Sequence, residues 1–318
     1  MENIIVFVLF AVGLVLIIKG GDLFVDASST VAAMFGVPKF IIGATIVSFA
    51  TTMPEMLVSI MAAVDGRLDM AVGNAIGSVT ANTGLIMGIA LLFMPRRVER
   101  RMYAPKIFML IASIVSLWLL CARGTLTARS CVILFVIIGM FIFENIQSGR
   151  KKITASESGY ISKRGMLVQL IYFVIGAAAI VMGSRLLVDN GSIIAHLLKV
   201  PENIIAITIV AIGTSLPELV TALTAIAKKE ASLTAGNIIG ANIIDTALIL
   251  PICSIVRGGE FAIDPHTIFL DIPFCLLVVC VVLIPMLFTG RFRRLQGVAA
   301  LAVYAAYLYI ACFISPFA

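Results

Sequence analysis

The sequence predicts an all-α membrane protein, with ten transmembrane helices arranged as two inverted-topology repeats of five. Three observations carry that prediction. Hydrophobic residues make up 61% of the 318 positions and charged residues only 13%, with a mean hydropathy of +1.13, far from the balance of a soluble domain. Apolar runs of about 20 residues recur along the chain, each long enough to cross roughly 30 Å of hydrocarbon as a helix. The second half repeats the first at a fixed offset, and an odd number of spans per half makes the two halves enter the membrane from opposite sides.

Residues 3–18 form the first apolar run. Glu2 precedes it and Lys19 follows, the reverse of a signal peptide's basic start, so it reads as a retained helix with its N-terminus outside. Residues 20–39, with Asp22, Asp26 and Lys39 and the closing Gly36-Val37-Pro38, are expected as a short amphipathic lead-in lying against the bundle. Spans follow near 40–64 and 69–93, parted by the polar turn at 65–69. After a basic loop (Arg96, Arg97, Glu99, Arg100, Arg101, Lys106) come spans near 107–122 and 130–147. The clearly soluble stretch is Gln147 to Arg164, with Arg150-Lys151-Lys152 and a Ser/Gly-rich tract. The second half places spans near 165–188, 203–227, 232–256, 267–289 and 296–315. The chain therefore divides into a first repeat at 1–148 with its most repeated part at about 20–92, a cytoplasmic linker at 149–164, and a second repeat at 165–318 with its counterpart at about 183–255.

The net charge of +6 is a topology signal. With the N-terminus outside, 17 of the 23 basic residues fall on the inner side and six (Arg67, Arg123, Arg129, Arg185, Lys199, Arg257) on the outer. Nucleic acid is thereby disfavoured as a partner. The six cysteines lie mostly within apolar runs and form no CxxC pair, so they read as small buried residues. His196 and His266 make no metal-ligand pattern.

The repeat is in register without a gap. Glu55 and Glu218 are 163 positions apart, and the same offset matches Gly20 to Gly183, Asp26 to Asp189, Pro38 to Pro201 and Thr51 to Thr214. It continues through Gly73-Asn74 with Gly236-Asn237, and Gly77 with Gly240. Both copies set a glutamate beside a proline within an apolar run: Ala50-Thr51-Thr52-Met53-Pro54-Glu55, and Gly213-Thr214-Ser215-Leu216-Pro217-Glu218. A charged group at membrane depth costs roughly 2.5–3.5 kcal/mol on insertion scales, so it marks function. Proline frees an upstream carbonyl, and hydroxyls cluster in the same turn. Glutamate, hydroxyl and carbonyl oxygens together are donors for a hard cation such as Ca²⁺ or Na⁺. Helical spacing lets Ser48, Thr51, Thr52 and Glu55 converge, as it does Thr214, Ser215 and Glu218. Ser78 and Asn82 share a face of the next span, with Ala241 and Asp245 as their counterparts.

The segments [A/G]-T-[S/T]-[L/M]-P-E and G-N-x-I-G-[S/A]-x-x-x-[N/D] resemble the two repeats of the calcium/cation antiporter superfamily, above all its prokaryotic sodium/calcium exchangers. The resemblance covers essentially the whole chain. It implies Ca²⁺ held by the two glutamates and nearby carbonyls, Na⁺ in adjacent positions, and alternating access by sliding of the first and sixth helices. Its implied ligand set is Thr51, Glu55, Ser78, Thr214 and Glu218, with Asn82, Thr52, Ser215 and Asp245 beside it and backbone carbonyls from Ser48 and Ala211. One departure stands out: Ala241 has no hydroxyl where Ser78 has one. Asp245 resembles the acid of potassium-dependent members.

The expected function is a monomeric, multi-pass antiporter of a prokaryotic plasma (inner) membrane, exchanging Ca²⁺ for Na⁺, with no cofactor. A Ca²⁺/H⁺ exchanger is the alternative; Asn82 argues against it and Ala241 for it. An intramembrane protease would need paired aspartates or a Ser/His set, and no GxGD or GxSxG pattern occurs, so an enzyme is not expected. A channel suits an inverted repeat around one buried acid pair less well than alternating access does.

Overall fold

A computed structural model describes residues 2–66, 68–153, 163–197, 215–258 and 260–313. They form helices α1 (Glu2–Met34), α2 (Lys39–Thr51), α3 (Met53–Val64), α4 (68–93), α5 (Arg100–Cys121), α6 (Val132–Ile153), α7 (Lys163–Leu197), α8 (Leu216–Ala227), α9 (Ala231–Arg257), α10 (Thr267–Thr289) and α11 (Arg294–Phe313). Among the described residues, eight helices are long and apolar enough to cross a membrane, and the bent pair α2 and α3 makes a ninth. The expected span near 203–227 is represented by α8; its first half lies outside the described residues. Short antiparallel strands tie the loops: β1 (Arg96–Arg97) with β4 (Arg291–Phe292), and β2 (Thr125–Thr127) with β3 (Glu260–Ala262).

Three expectations are corrected. Residues 20–34 do not form a separate lead-in but continue α1 as one 33-residue helix. Gly20 and Gly21 look like a break, yet they are contact points. A Cβ on Gly20 would lie 3.0 Å from the carbonyl oxygen of Gly176, and one on Gly13 would lie 2.9 Å from that of Gly183. α1 and α7 thus touch backbone to backbone at two places, and packing overrides the glycine's poor helix propensity. Second, α6 runs on to Ile153, past the expected start of the linker, because a helix satisfies its own backbone as it leaves the apolar region. Third, Lys106 is not in a loop. α5 begins at Arg100, and Lys106 is fully buried in an ion pair with Glu144 of α6, its ammonium 5.5 Å from the Phe40 ring centre.

The main core is built from α2 to α6, α9 and α10, with Ile76, Ile107, Leu110, Ile114, Ile239, Ile243 and Val279 among its buried residues. A second cluster joins α1 and α7 to this core through Phe24, Ile180, Val220 and Leu233. The outward faces of α1 and α7 carry exposed Ile4, Phe7, Val15, Leu167 and Val174, as a face toward lipid requires. Cys121, Cys131, Cys253 and Cys275 are free and buried, in line with the apolar role expected for them.

Candidate cation site

The centre of the molecule is made where regular helix fails. The α2 helix bends by 46° into α3 at Thr52. Pro54 sits in the first turn of α3, where its missing N–H does no harm to α3 but leaves the carbonyl of Ala50 without its helical donor. Glu55 lies in the same turn, at the positive end of α3. In the second half α8 begins identically, with Pro217 and Glu218 in its first turn.

Two further irregularities fall at repeat-equivalent places. α4 widens into a π-type turn at Asn82–Met87, and α9 does so at Asp245–Ile249. Each turn opens on a candidate ligand, Asn82 or Asp245. Such widened turns recur at functional sites because they re-aim side chains without ending the helix. A third, Gly43–Val47, lies in α2 where it crosses α9.

These irregularities bring all nine described candidates into the interior. Glu55, Glu218, Asp245, Asn82, Thr51, Thr52, Ser215, Ser78 and Ser48 are all buried. Thr52 Oγ1 donates to Glu218 Oε1 at 3.2 Å, joining the two motif segments directly. Ser215 Oγ donates to Ser78 Oγ at 3.5 Å, a hydroxyl pair between α4 and the start of α8. Thr51 Oγ1 donates to Asn237 Oδ1 at 3.1 Å. The Ser48 carbonyl accepts from Thr52 N at 2.9 Å and from Thr51 Oγ1 at 3.3 Å, so it is engaged within its own helix. Thr214 and Ala211 lie outside the described residues.

What the site leaves unsatisfied is its most telling property. Both oxygens of Glu55, Oε2 of Glu218, both oxygens of Asp245 and Oδ1 of Asn82 are buried and accept no hydrogen bond. Glu55 interacts with Glu218, and Asp245 is within electrostatic reach of both. The recorded ion pairs among the described residues include none of the three acids. Buried acceptors without donors are costly, and buried carboxylates without a counter-charge more so. A cation would answer these oxygen orphans; beside them Asn237 Nδ2 is a buried donor that is likewise unpartnered. Among the described residues no three His, Cys, Asp or Glu side chains stand together in metal-ligating geometry. Around the two glutamates stand amide, hydroxyl and backbone oxygens, the donor types that hard cations accept.

Several residues around the site are not singled out by the sequence as ligands or supports. Asn74 donates to the Glu55 carbonyl at 3.3 Å and to Ser59 Oγ at 2.9 Å, fastening α3 to α4. Asn237 receives Thr51, and Asn242 contacts both Asn82 and Thr83. Ser113 of α5 meets Thr246 at 2.8 Å behind the site. Asn74 and Asn237 stand within the repeated G-N-x-I-G segment, so a signal for them is present beside the glycines that draw attention there.

Comparison with known proteins finds relatives along nearly the whole chain. A family model described as "Sodium/calcium exchanger protein" matches residues 5–146 and again 168–313. The inner membrane protein YrbG of Escherichia coli is 33% identical over 279 residues, covering 85% of each chain. The sodium/calcium exchanger MaX1 of Methanosarcina acetivorans is 29% identical, covering 97% of this chain and 99% of its own. A structure of the sodium–calcium exchanger NCX_Mj, soaked with Na⁺ and Sr²⁺, superposes with a TM-score of 0.84 at 26% identity over 98% of this chain and 99% of that one.

Proposed function

The chain belongs to the sodium/calcium exchanger protein family, and we propose that it is a secondary active antiporter extruding Ca²⁺ in exchange for Na⁺ by alternating access. The observation that carries this reading is the set of orphaned carboxylate and amide oxygens at repeat-equivalent positions in the protein interior. In this reading the chain spans the inner membrane ten times as two inverted repeats, 1–148 and 165–318, with the N-terminus outside and the 149–164 linker cytoplasmic. The twofold match to the family model and the paired π-type turns support that duplication. Glu55 and Glu218 hold Ca²⁺ with Thr51 and Thr214. Ser78 completes that set, with Asn82, Thr52, Ser215 and Asp245 beside it, and the carbonyls of Ala211 and, once it releases the Thr51 hydroxyl, Ser48 are further oxygen donors. Exchange follows from competition: the carboxylates accept one divalent ion, several monovalent ions or protons, but not all at once. An empty charged site is the costly state, which discourages uncoupled return.

A second reading, Ca²⁺/H⁺ exchange, is favoured by one specific feature. The Ser78–Ser215 hydroxyl pair is complete, whereas its repeat-equivalent, Thr52 with Ala241, has a single hydroxyl. One monovalent position is thus poorer in ligands than the other, which points to fewer Na⁺ per cycle or to protons in their place. Sealed vesicles decide between the two. An outward Na⁺ gradient should drive ⁴⁵Ca²⁺ uptake, and a pH gradient alone should not; the reverse pattern would install protons as the coupling ion. Glu218→Gln should remove uptake under either gradient while the purified protein still elutes as a single species. Unchanged uptake in that variant would end the assignment of the site.

A further inference from the structure

Asn82 and Asp245 occupy equivalent positions and each opens a widened turn, the first packed against the helix that carries Glu218 and the second within electrostatic reach of both glutamates. The residue three places earlier differs sharply between the halves: Val79 precedes Asn82, and Asn242 precedes Asp245. Asn242 does not serve its own helix. Its Nδ2 donates across to Thr83 Oγ1 at 2.8 Å, and its Oδ1 accepts from Asn82 Nδ2 at 3.2 Å. With its nitrogen taken, Asn82 is left with a buried Oδ1 that has no partner.

An amide has two unlike ends, one acceptor and one donor, and only the oxygen can bind a cation. Left free beside carboxylates, an Asn82 side chain would gain by turning its NH₂ toward them, forming charge-assisted hydrogen bonds in the place a cation must take. Asn242 Oδ1, an acceptor only, holds the Nδ2 end of the Asn82 amide and leaves its oxygen end unpaired. We propose that Asn242, backed by Thr83, is a positioning residue for cation binding: it holds the Asn82 amide with its oxygen available to the ion. The proposal rests on the exchanger reading above. It also accounts for the asymmetry between the halves. An aspartate side chain ends in two oxygens, so Asp245 offers oxygen whichever way it turns and needs no such lock, and the residue equivalent to Asn242 is the apolar Val79.

Internal symmetry supplies the test. Asn242→Val removes the lock, and Asn82→Asp combined with Asn242→Val recreates the Asp/Val pairing of the other half. Apparent Ca²⁺ and Na⁺ affinities are measured by ⁴⁵Ca²⁺ binding and Na⁺ competition on purified, reconstituted protein. Losing a well-aimed ligand and gaining a competing charge-assisted hydrogen bond should weaken binding of at least one of the two ions by about 10- to 100-fold in N242V. The double variant should bind at least one of the two ions more tightly than N242V, because either oxygen of a carboxyl group at position 82 can face the ion. Wild-type affinities in N242V overturn the proposal. So does a double variant as weak as N242V, which would mean that Asn242 matters only for packing. If N242V yields no folded protein, Thr83→Val carries the same test: weakening of about threefold or more supports the lock, and no change overturns it. Wild-type protein that binds neither ion would instead sink the exchanger reading, so the two failures are distinct.

Discussion

The crossing of α2 over α9 can be tested by adding a single methyl group. Gly240 lies on α9 one residue before Ala241, and a Cβ there would fall 2.5 Å from the carbonyl oxygen of Ala44 and 2.6 Å from Ser48 Oγ. Both distances are far inside van der Waals contact, and the nearer obstacle is backbone. From the other side, a Cβ on Gly43 would meet the Leu233 carbonyl oxygen at 2.5 Å and the Asn237 nitrogen at 3.0 Å, so neither helix can retreat cheaply. Gly240→Ala should therefore incur the overpacking penalty of about 1–3 kcal/mol, offset by the roughly 0.5–1 kcal/mol that alanine gains over glycine within a helix. The net expectation is a destabilisation of about 1–2 kcal/mol, a 5- to 30-fold fall in the folded-to-unfolded ratio. The matched control is Gly139→Ala on α6, an exposed helical glycine where a Cβ would meet nothing within 4 Å; it should be neutral or slightly stabilising. Denaturation in detergent, followed by helical circular dichroism, gives both values. If G240A is as stable as G139A, the close approach of α2 and α9 is not as described. Because the displaced atoms belong to the segment carrying Ser48 and Thr51, G240A should also weaken Ca²⁺ binding, which G139A should leave alone.

Lys106→Met should destabilise by about 2–4 kcal/mol, since it strands Glu144 beside Ser148 with its partner gone, and Lys106→Met with Glu144→Leu should recover most of that loss. A double variant no better than the single would show that the pair is not coupled. Lys228, in the turn between α8 and α9, pairs with Asp26 at 2.7 Å and Asp22 at 3.4 Å on α1, but both acids are half-exposed or more. Lys228→Gln should therefore change stability by no more than about 1 kcal/mol, and less in high salt. Partial burial lowers the Lys228 pKa, yet Asp26 and Asp22 outweigh it and leave the ammonium titrating above the ordinary lysine range. A raised folded-state pKa means that this contribution is fully present below the unfolded value and lost as pH rises through the folded one, so the difference between K228Q and wild type should be constant from about pH 6 to about pH 9. Thermal midpoints across that range check it.

Much of this is legible in the chain, and the rest has identifiable reasons. Pro54 and Glu55 locate the bend at Thr52, because a proline's missing donor is a local fact that no packing can repair. The offset that pairs Glu55 with Glu218 likewise pairs Asn82 with Asp245, and the structure gives that second pair a shared geometry. The widened turns themselves share no common signal: residues 82–87 contain Gly84, while residues 245–249 precede Pro251, which leaves the Ala247 carbonyl without its helical donor. Lys106 is misplaced by sequence alone because a lysine after Arg100 and Arg101 reads as a loop charge, and its burial depends on Glu144, 38 residues away. Sequence alone splits α1 in two for a related reason: residues 20–39 turn less apolar after Gly20-Gly21, and their helical continuity depends on α7 packed against them. Asn242 shows the same limit at the site, for its partners Asn82 and Thr83 lie about 160 residues earlier.

The two glycine contacts between α1 and α7 have a mechanical consequence. Gly13 with Gly183 and Gly20 with Gly176 are seven residues apart along each helix, which sets the points of contact about 10 Å from one another. Two struts joined at a single point can swivel; joined at two, with main chain against main chain, they form one stiff beam. Such a beam moves as one body, so a shift of α1 along its axis carries α7 with it.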